Sequence, residues 1–129
     1  MASAVSDVMD RTITAFVNDD VELALSIEPL HDVIDSLGEK LKKRHISRMS
    51  EGKCTVESGV VFTDYITALD NISSHCKNTA TFVIQKNDST FELHSEAHQM
   101  RRASEGYKTT YKEFKEKYAL PVSHTTGIN

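Results

Sequence analysis

Apolar residues recur along this chain at steps of three and four, the period of a helix with one buried face. Val5, Met9, Ile13 and Phe16 mark a first segment, with Thr12 on the same side. Asn18, Asp19 and Asp20 interrupt it and offer caps for the next helix. A second segment runs through Ile27, Leu30, Ile34, Leu37 and Leu41 and is extended by Ile46 and Met49. Pro29 should bend that helix unless the helix starts at Ile27 or Glu28. The stretch Ser50-Glu51-Gly52-Lys53 breaks the pattern, with Gly52 suited to a left-handed C-cap and Thr55 to the next N-cap.

The third segment carries Phe62, Tyr65, Ile66, Leu69, Ile72, Cys76, Ala80 and Val83, and ends near Ile84. Residues 85–95 read as a connector in which Phe91 and Leu93 are anchored. A fourth helix is expected from Glu96 to Tyr118, burying Met100, Ala103, Tyr107, Tyr111, Phe114 and Tyr118, and Pro121 ends it. The pattern predicts an all-α fold, an up-down antiparallel helical bundle of three to four helices. One domain is expected over residues 1–122, with an unstructured tail over 123–129.

Composition narrows the class. The chain has 129 residues, enough for one ordinary core. Fifteen Lys and Arg against nineteen Asp and Glu leave a formal charge of −4, which argues against nucleic-acid binding. Two Pro and five Gly are too few for an all-β domain. No apolar run approaches the roughly 20 residues that cross a bilayer, and the N-terminus has no signal-peptide pattern. Two cysteines make no disulfide framework and read as reduced thiols.

Antiparallel helices joined near residue 53 pair residues whose numbers sum to about 106. Gly38 then falls opposite Ala68, where small residues let backbones approach. His31, Asp32 and Asp35 fall opposite Asp70, Ser74 and His75. Across the first turn, numbers summing to about 39 bring Asp7 and Asp10 towards Glu28 and Asp32. So many carboxylates at one level either face solvent or share a cation. A metal reading would use His31, Asp32, Asp35, Asp70 and His75 with Mg, Mn, Fe or Zn. His45, Cys54, His75 and Cys76 have zinc-ligand chemistry, but His45 and His75 lie at levels roughly 20 Å apart. Glu28-Pro-Leu-His31 has one Glu-x-x-His and no second copy, which disfavours a di-iron enzyme. Lys40 to Arg48 ends the second helix with a basic run, either solvated or docking an acidic partner or anionic lipid. Glu57 is placed to pair with Arg44 or Arg48 across the turn.

These residues also resemble a known family. The stretch LKKRHISRMSEGKCTVESGVVFTDYITALDNISSHCKNTATFV is similar to the cytoplasmic PhoU-like domain of bacterial sodium/phosphate cotransporters. The matching pieces are Lys43-Arg44-His45-Ile46 with Arg48, then Gly52-Lys53-Cys54, then Gly59, Phe62 and Asp64. LDNISSHCKN looks like that family's ERISDHCSN, and Glu116 to Pro121 looks like its C-terminus. The resemblance runs from about Val5 to Pro121. It implies a helical regulatory domain, not an enzyme, at the inner face of the cell membrane, beside a transporter portion of the same or a partner polypeptide. It further implies that the chain is the second of two three-helix repeats plus a C-terminal helix, acting in phosphate uptake, with phosphate a candidate ligand. The family's metal motif, Glu/Asp-x-x-x-Asp, falls here on His31 to Asp35 and on Asp70 to Ser74. His31 and Ser74 replace acids, while Asp35, Asp70 and His75 stand, with Asp32 adjacent.

Three functional classes fit these residues: a transporter-linked regulatory domain, a metal-dependent helical-bundle protein or enzyme, and an oligomerisation module forming a homodimer. In the last, the aromatic face of the fourth helix is either core or partner surface.

Overall fold

The computed structural model describes residues 1–87 and 95–122. Among the described residues six helices form: α1 (Ala2–Asn18), α2 (Val21–Leu25), α3 (Ile27–Ser50), α4 (Val56–Asn87), α5 (Ser95–Ala103) and α6 (Glu105–Lys117). Among the described residues there is no strand, so the all-α expectation holds. Phe91, Leu93 and the tail at 123–129 lie outside the described residues.

The caps explain the boundaries. Asp19 takes the left-handed conformation that stops α1. Asp20 Oδ1 accepts from the Leu23 N–H at 3.0 Å and starts α2, a short helix that the apolar pattern does not mark. Because α3 begins at Ile27, Pro29 lies in its first turn, where no intrahelical partner awaits its nitrogen, and it imposes no bend. Gly52, at φ 70°, closes α3. The Gly52 and Lys53 N–H groups donate to Met49 and Arg48 carbonyls at 3.0 and 2.9 Å, a Schellman pattern. Thr55 Oγ1 then accepts from the Ser58 N–H at 3.2 Å to start α4.

The bundle alternates in direction. Lys86 and Asn87 at the end of α4 hydrogen-bond Asp19 at the end of α1, so α1 and α4 run together. α3 runs against both, with His31 opposite Ser73 and Gly38 opposite Ile66. α6 runs with α3, since Tyr107 reaches Asp32 while Tyr111 and Lys115 lie beside Leu37 and Lys40. The core joins Val5, Val8, Leu30, Ile34, Cys76 and Val83, and Phe114 of α6 adds one ring.

Packing corrects several expectations. The fourth helix is two: Ser104 is extended (ψ 147°), and its hydroxyl caps α6 by accepting from the Tyr107 N–H at 3.2 Å. Met100 and Ala103, on α5, are exposed rather than inside. α4 continues past Ile84 to Asn87. On α1 the buried face is Ala4, Val5, Val8, Thr12 and Ala15, while Met9, Ile13 and Phe16 point outwards. On α4, Ile66, Ser73 and Cys76 are inside, whereas Tyr65, Ala68 and Ile72 are exposed. Gly38 therefore meets Ile66 instead of Ala68. Ile46 is exposed as well.

Candidate functional site: the carboxylates beneath the C-terminal helix

The acidic residues do not pool at one level. They divide into two clusters, and each grips the C-terminal helices. In the first, Asp32 lies 2.7 Å from the Arg102 guanidinium and accepts a short hydrogen bond from the Tyr107 hydroxyl. Arg102 also reaches Glu28 at 3.4 Å. Burial and the Asp32 carboxylate raise the Tyr107 pKa, so its proton stays in that bond. In the second, Asp7 binds Arg11 at 2.7 Å, Lys117 at 3.1 Å and the Tyr118 hydroxyl. Burial pushes the Asp7 carboxyl up, but the bonds from Tyr118, Arg11 and Lys117 outweigh it and hold it below the ordinary aspartate value. Arg11 also sits over the Phe114 ring at 4.9 Å. Asp7 therefore does not approach Glu28 and Asp32, and Asp10 is exposed.

The five residues of the metal reading go different ways. Asp32 is engaged by α5 and α6. His31 is half-buried, and its Nδ1 is 2.9 Å from the Ser73 hydroxyl. Burial, then the nearby Lys77 charge, lowers the His31 pKa against the pull of Asp32, Asp70 and Asp35, which keeps the ring neutral at pH 7. Asp35 and His75 are exposed. Asp70 Oδ1 is buried without a hydrogen-bond partner. Among the described residues no three His, Cys, Asp or Glu side chains come together as a ligand set. The physical cause is the register. Numbers facing each other across α3 and α4 sum to 104, so buried Ser73 meets His31 and turns His75 outwards.

Beyond Gly38 and Ile66, the rest of α3 and the start of α4 form a two-helix arm. Its seam is Gly59, where an added Cβ would lie 2.8 Å from both His45 Nε2 and Met49 Sδ. His45 stacks on Phe62 with ring centroids 4.7 Å apart. Arg48 donates to His45 Nδ1 at 3.2 Å and lies over Phe62 instead of pairing with Glu57. That bond requires Nδ1 to be the acceptor, leaving the proton on Nε2, which is buried with no partner. Cys54 and Cys76 are free thiols, and Cys76 is buried. An open groove of about 410 Å³ runs along the arm between Lys42, Ile46, Val56 and Val60. A second cleft, about 420 Å³, lies between Glu22, Pro29, Arg101 and Tyr107.

Sequence reasoning missed the two clamps. A signal was present, because Tyr107, Tyr118, Arg102 and Lys117 recur on one segment of an otherwise acidic chain, but pairing α6 with both α1 and α3 required the tertiary arrangement.

Asp7 and Asp32, with Arg102, Tyr107, Lys117 and Tyr118, are engaged in holding helices together. No described helix is long and apolar enough to cross a membrane. The profile of the PhoU domain matches residues 1–83, which is α1 to α3 and nearly all of α4. A Thermotoga maritima protein, the phosphate-specific transport system accessory protein PhoU homolog 1, is 30% identical over 77 residues. That match covers 60% of this chain and only 33% of the relative. No solved structure gives a significant match. On the extent of the profile match and the helical bundle that carries it, the chain belongs to the PhoU family.

Proposed function

We propose that this chain is a cytoplasmic, non-enzymatic regulatory domain that controls phosphate uptake by contact with a phosphate transporter. The observation that carries the reading is the PhoU profile over α1 to α3 and nearly all of α4. The similar Thermotoga protein is named an accessory of a phosphate transport system, which supports the same role here. The motifs' resemblance to the PhoU-like domain of sodium/phosphate cotransporters supports a carrier of that class as the transporter. The basic run from Lys40 to Arg48 then offers the membrane-proximal or partner-facing end.

The test is deletion of the gene, with phosphate uptake measured across a range of external phosphate. Uptake that no longer falls when phosphate is plentiful supports the role; an unchanged response rejects it. The reading frame upstream of Met1 tests the cotransporter link, because membrane helices encoded there would join the two parts in one polypeptide.

A second reading attaches to Asp70, whose Oδ1 is buried without a partner. A Mg, Mn, Fe or Zn ion with mostly water ligands would satisfy it. Added metal should then raise the melting temperature of the native chain and not of Asp70→Asn; equal behaviour of the two rejects the site.

A further inference from the structure

We infer that the groove along the arm is a binding site for a fatty carboxylate, whose head accepts a hydrogen bond from His45 Nε2 while its alkyl chain lies between Ile46, Val56 and Val60. The groove has a volume of about 410 Å³ and is lined by α3 and α4 alone. That volume falls within the range of small-ligand sites, about 300–1,000 Å³. It follows each helix for about 10–12 Å, from Lys42 to Met49 and from Val56 to Asp64. Met1 of α1 is level with Ile66, and Lys115 of α6 is level with Lys40, so neither helix extends over the groove. Ile46, Val56 and Val60 therefore stay 63%, 67% and 57% exposed, an apolar wall that no other described element covers.

His45 selects the head group. It is 5% exposed, and the bond from Arg48 to Nδ1 leaves the proton on Nε2, buried without a partner. Nε2 faces Gly59, which forms part of the groove wall. A Cβ there would stand 2.8 Å from Nε2 and block it, so the bare glycine lets an acceptor atom approach the N–H. The other atom crowding that spot is Met49 Sδ, the end of a flexible side chain that a ligand can push aside. Water suits the spot poorly, because it requires two to four polar partners and the nearest atoms are those of His45 and the Met49 sulfur. A carboxylate oxygen satisfies the buried donor directly, and the ion strengthens the bond. Lys42 lies one turn before His45 on the same face and lines the groove, where its ammonium meets the second oxygen. The local field agrees, since residues 40–48 hold five bases and no acid. Asp64, on the α4 wall near Lys42, is the one acid lining the groove and opposes an anion there. A buried donor, a cation and an apolar wall together match a carboxylate on an alkyl chain.

Calorimetric titration of the full 129-residue chain with decanoate, kept below its micelle-forming concentration, tests the inference. One decanoate should bind per chain. Decyltrimethylammonium, with the same chain and the opposite charge, should bind at least about tenfold more weakly. His45→Phe keeps a ring against Phe62, removes the N–H and should weaken decanoate about tenfold. Lys42→Ala should weaken it about threefold, and Asp64→Asn should tighten it by a similar factor. Gly59→Ala blocks the approach to Nε2 and should abolish binding. Phe82→Ala, on an exposed apolar position far along α4, should change nothing. Circular dichroism checks that each variant keeps its helices; Lys42→Ala and Asp64→Asn, at the surface, carry the test if the two seam variants unfold. Absence of saturable binding overturns the inference, as do equal affinities for the two amphiphiles. A decanoate affinity that Lys42→Ala and Asp64→Asn both leave unchanged overturns it too. So does one that Phe82→Ala lowers as much as Lys42→Ala, because unspecific coating of apolar surface then explains the heat. None of these outcomes bears on the phosphate-regulatory reading, which the uptake experiment tests separately.

Discussion

The two ends of the bundle are held by different means. At the base, α1, α2, α3, α4 and α6 enclose a core in which Ile27, Leu30 and Ile34 are fully buried. Two carboxylates, Asp7 and Asp32, lock α6 against α1 and α3 with charged and hydrogen-bonded pairs. In the arm, two helices touch along one seam at Gly59, where the buried His45 packs on Phe62. The lesson is that burial, rather than helix length, divides rigid from yielding regions. α4 is the longest described helix, yet its first half buries only Gly59 and Ile66 where its second half has a core. Amide exchange should accordingly be fastest over residues 40–62 and slowest over 27–37 and 73–84.

The comparison can be broken most severely at the base. Ile34→Ala removes a fully buried side chain and should cost about 2–5 kcal/mol in denaturant unfolding. A smaller loss would mean that the base core relaxes as easily as the arm. In the arm, Gly59→Ala forces a methyl into His45 and Met49 and should cost about 1–3 kcal/mol, less if Met49 swings aside. Its control is Gly106→Ala in α6, where nothing lies within 4 Å. There the gain in helix propensity should stabilise by about 0.5–1 kcal/mol. If both substitutions act alike, the arm seam is not closed.

The clamp gives an intermediate effect with a pH signature. The folded-state pKa of Asp7 is depressed, so its contribution is present above the ordinary value of 3.8 and is lost as pH falls through the lower folded value. Asp7→Asn should cost about 1 kcal/mol at pH 7, discounted for solvent screening, and should flatten acid unfolding below about pH 4. Tyrosine fluorescence reports release of Tyr118. An unchanged acid limb would show that α6 docks without the carboxylate. The smallest effect belongs to Ile46→Ala on the arm, 63% exposed, which should stay within about 0.5 kcal/mol. A larger loss would reveal a covering partner.

Much of the fold was legible because caps and breaks are local. Asp20, Gly52 and Thr55 act where their side-chain chemistry places them. The facing residues were less legible, because a three-and-four pattern is shared by both sides of an amphipathic helix with apolar residues on each. On α4, Ile66 and Ile72 obey the same spacing, and only packing shows which is inside. The candidate site suffered most. A register estimate loose by two residues moves the partner of His31 from Ser74 or His75 to Ser73, and a shift of one position rotates a helical side chain by about 100°.

By itself the sequence determined that this chain is helical, where α1 stops and the turn between α3 and α4 falls, and that its motifs resemble the PhoU-like domain. Those features arise from nearest-neighbour chemistry, which a linear reading can track. Only the tertiary structure decided that Asp7 and Asp32 serve as anchors for α6, that Ser104 divides the last helix, and that α4 presents an apolar stripe outwards. These outcomes depend on partners up to 111 positions away in the chain, as with Asp7 and Tyr118, whose approach is set by how whole helices pack.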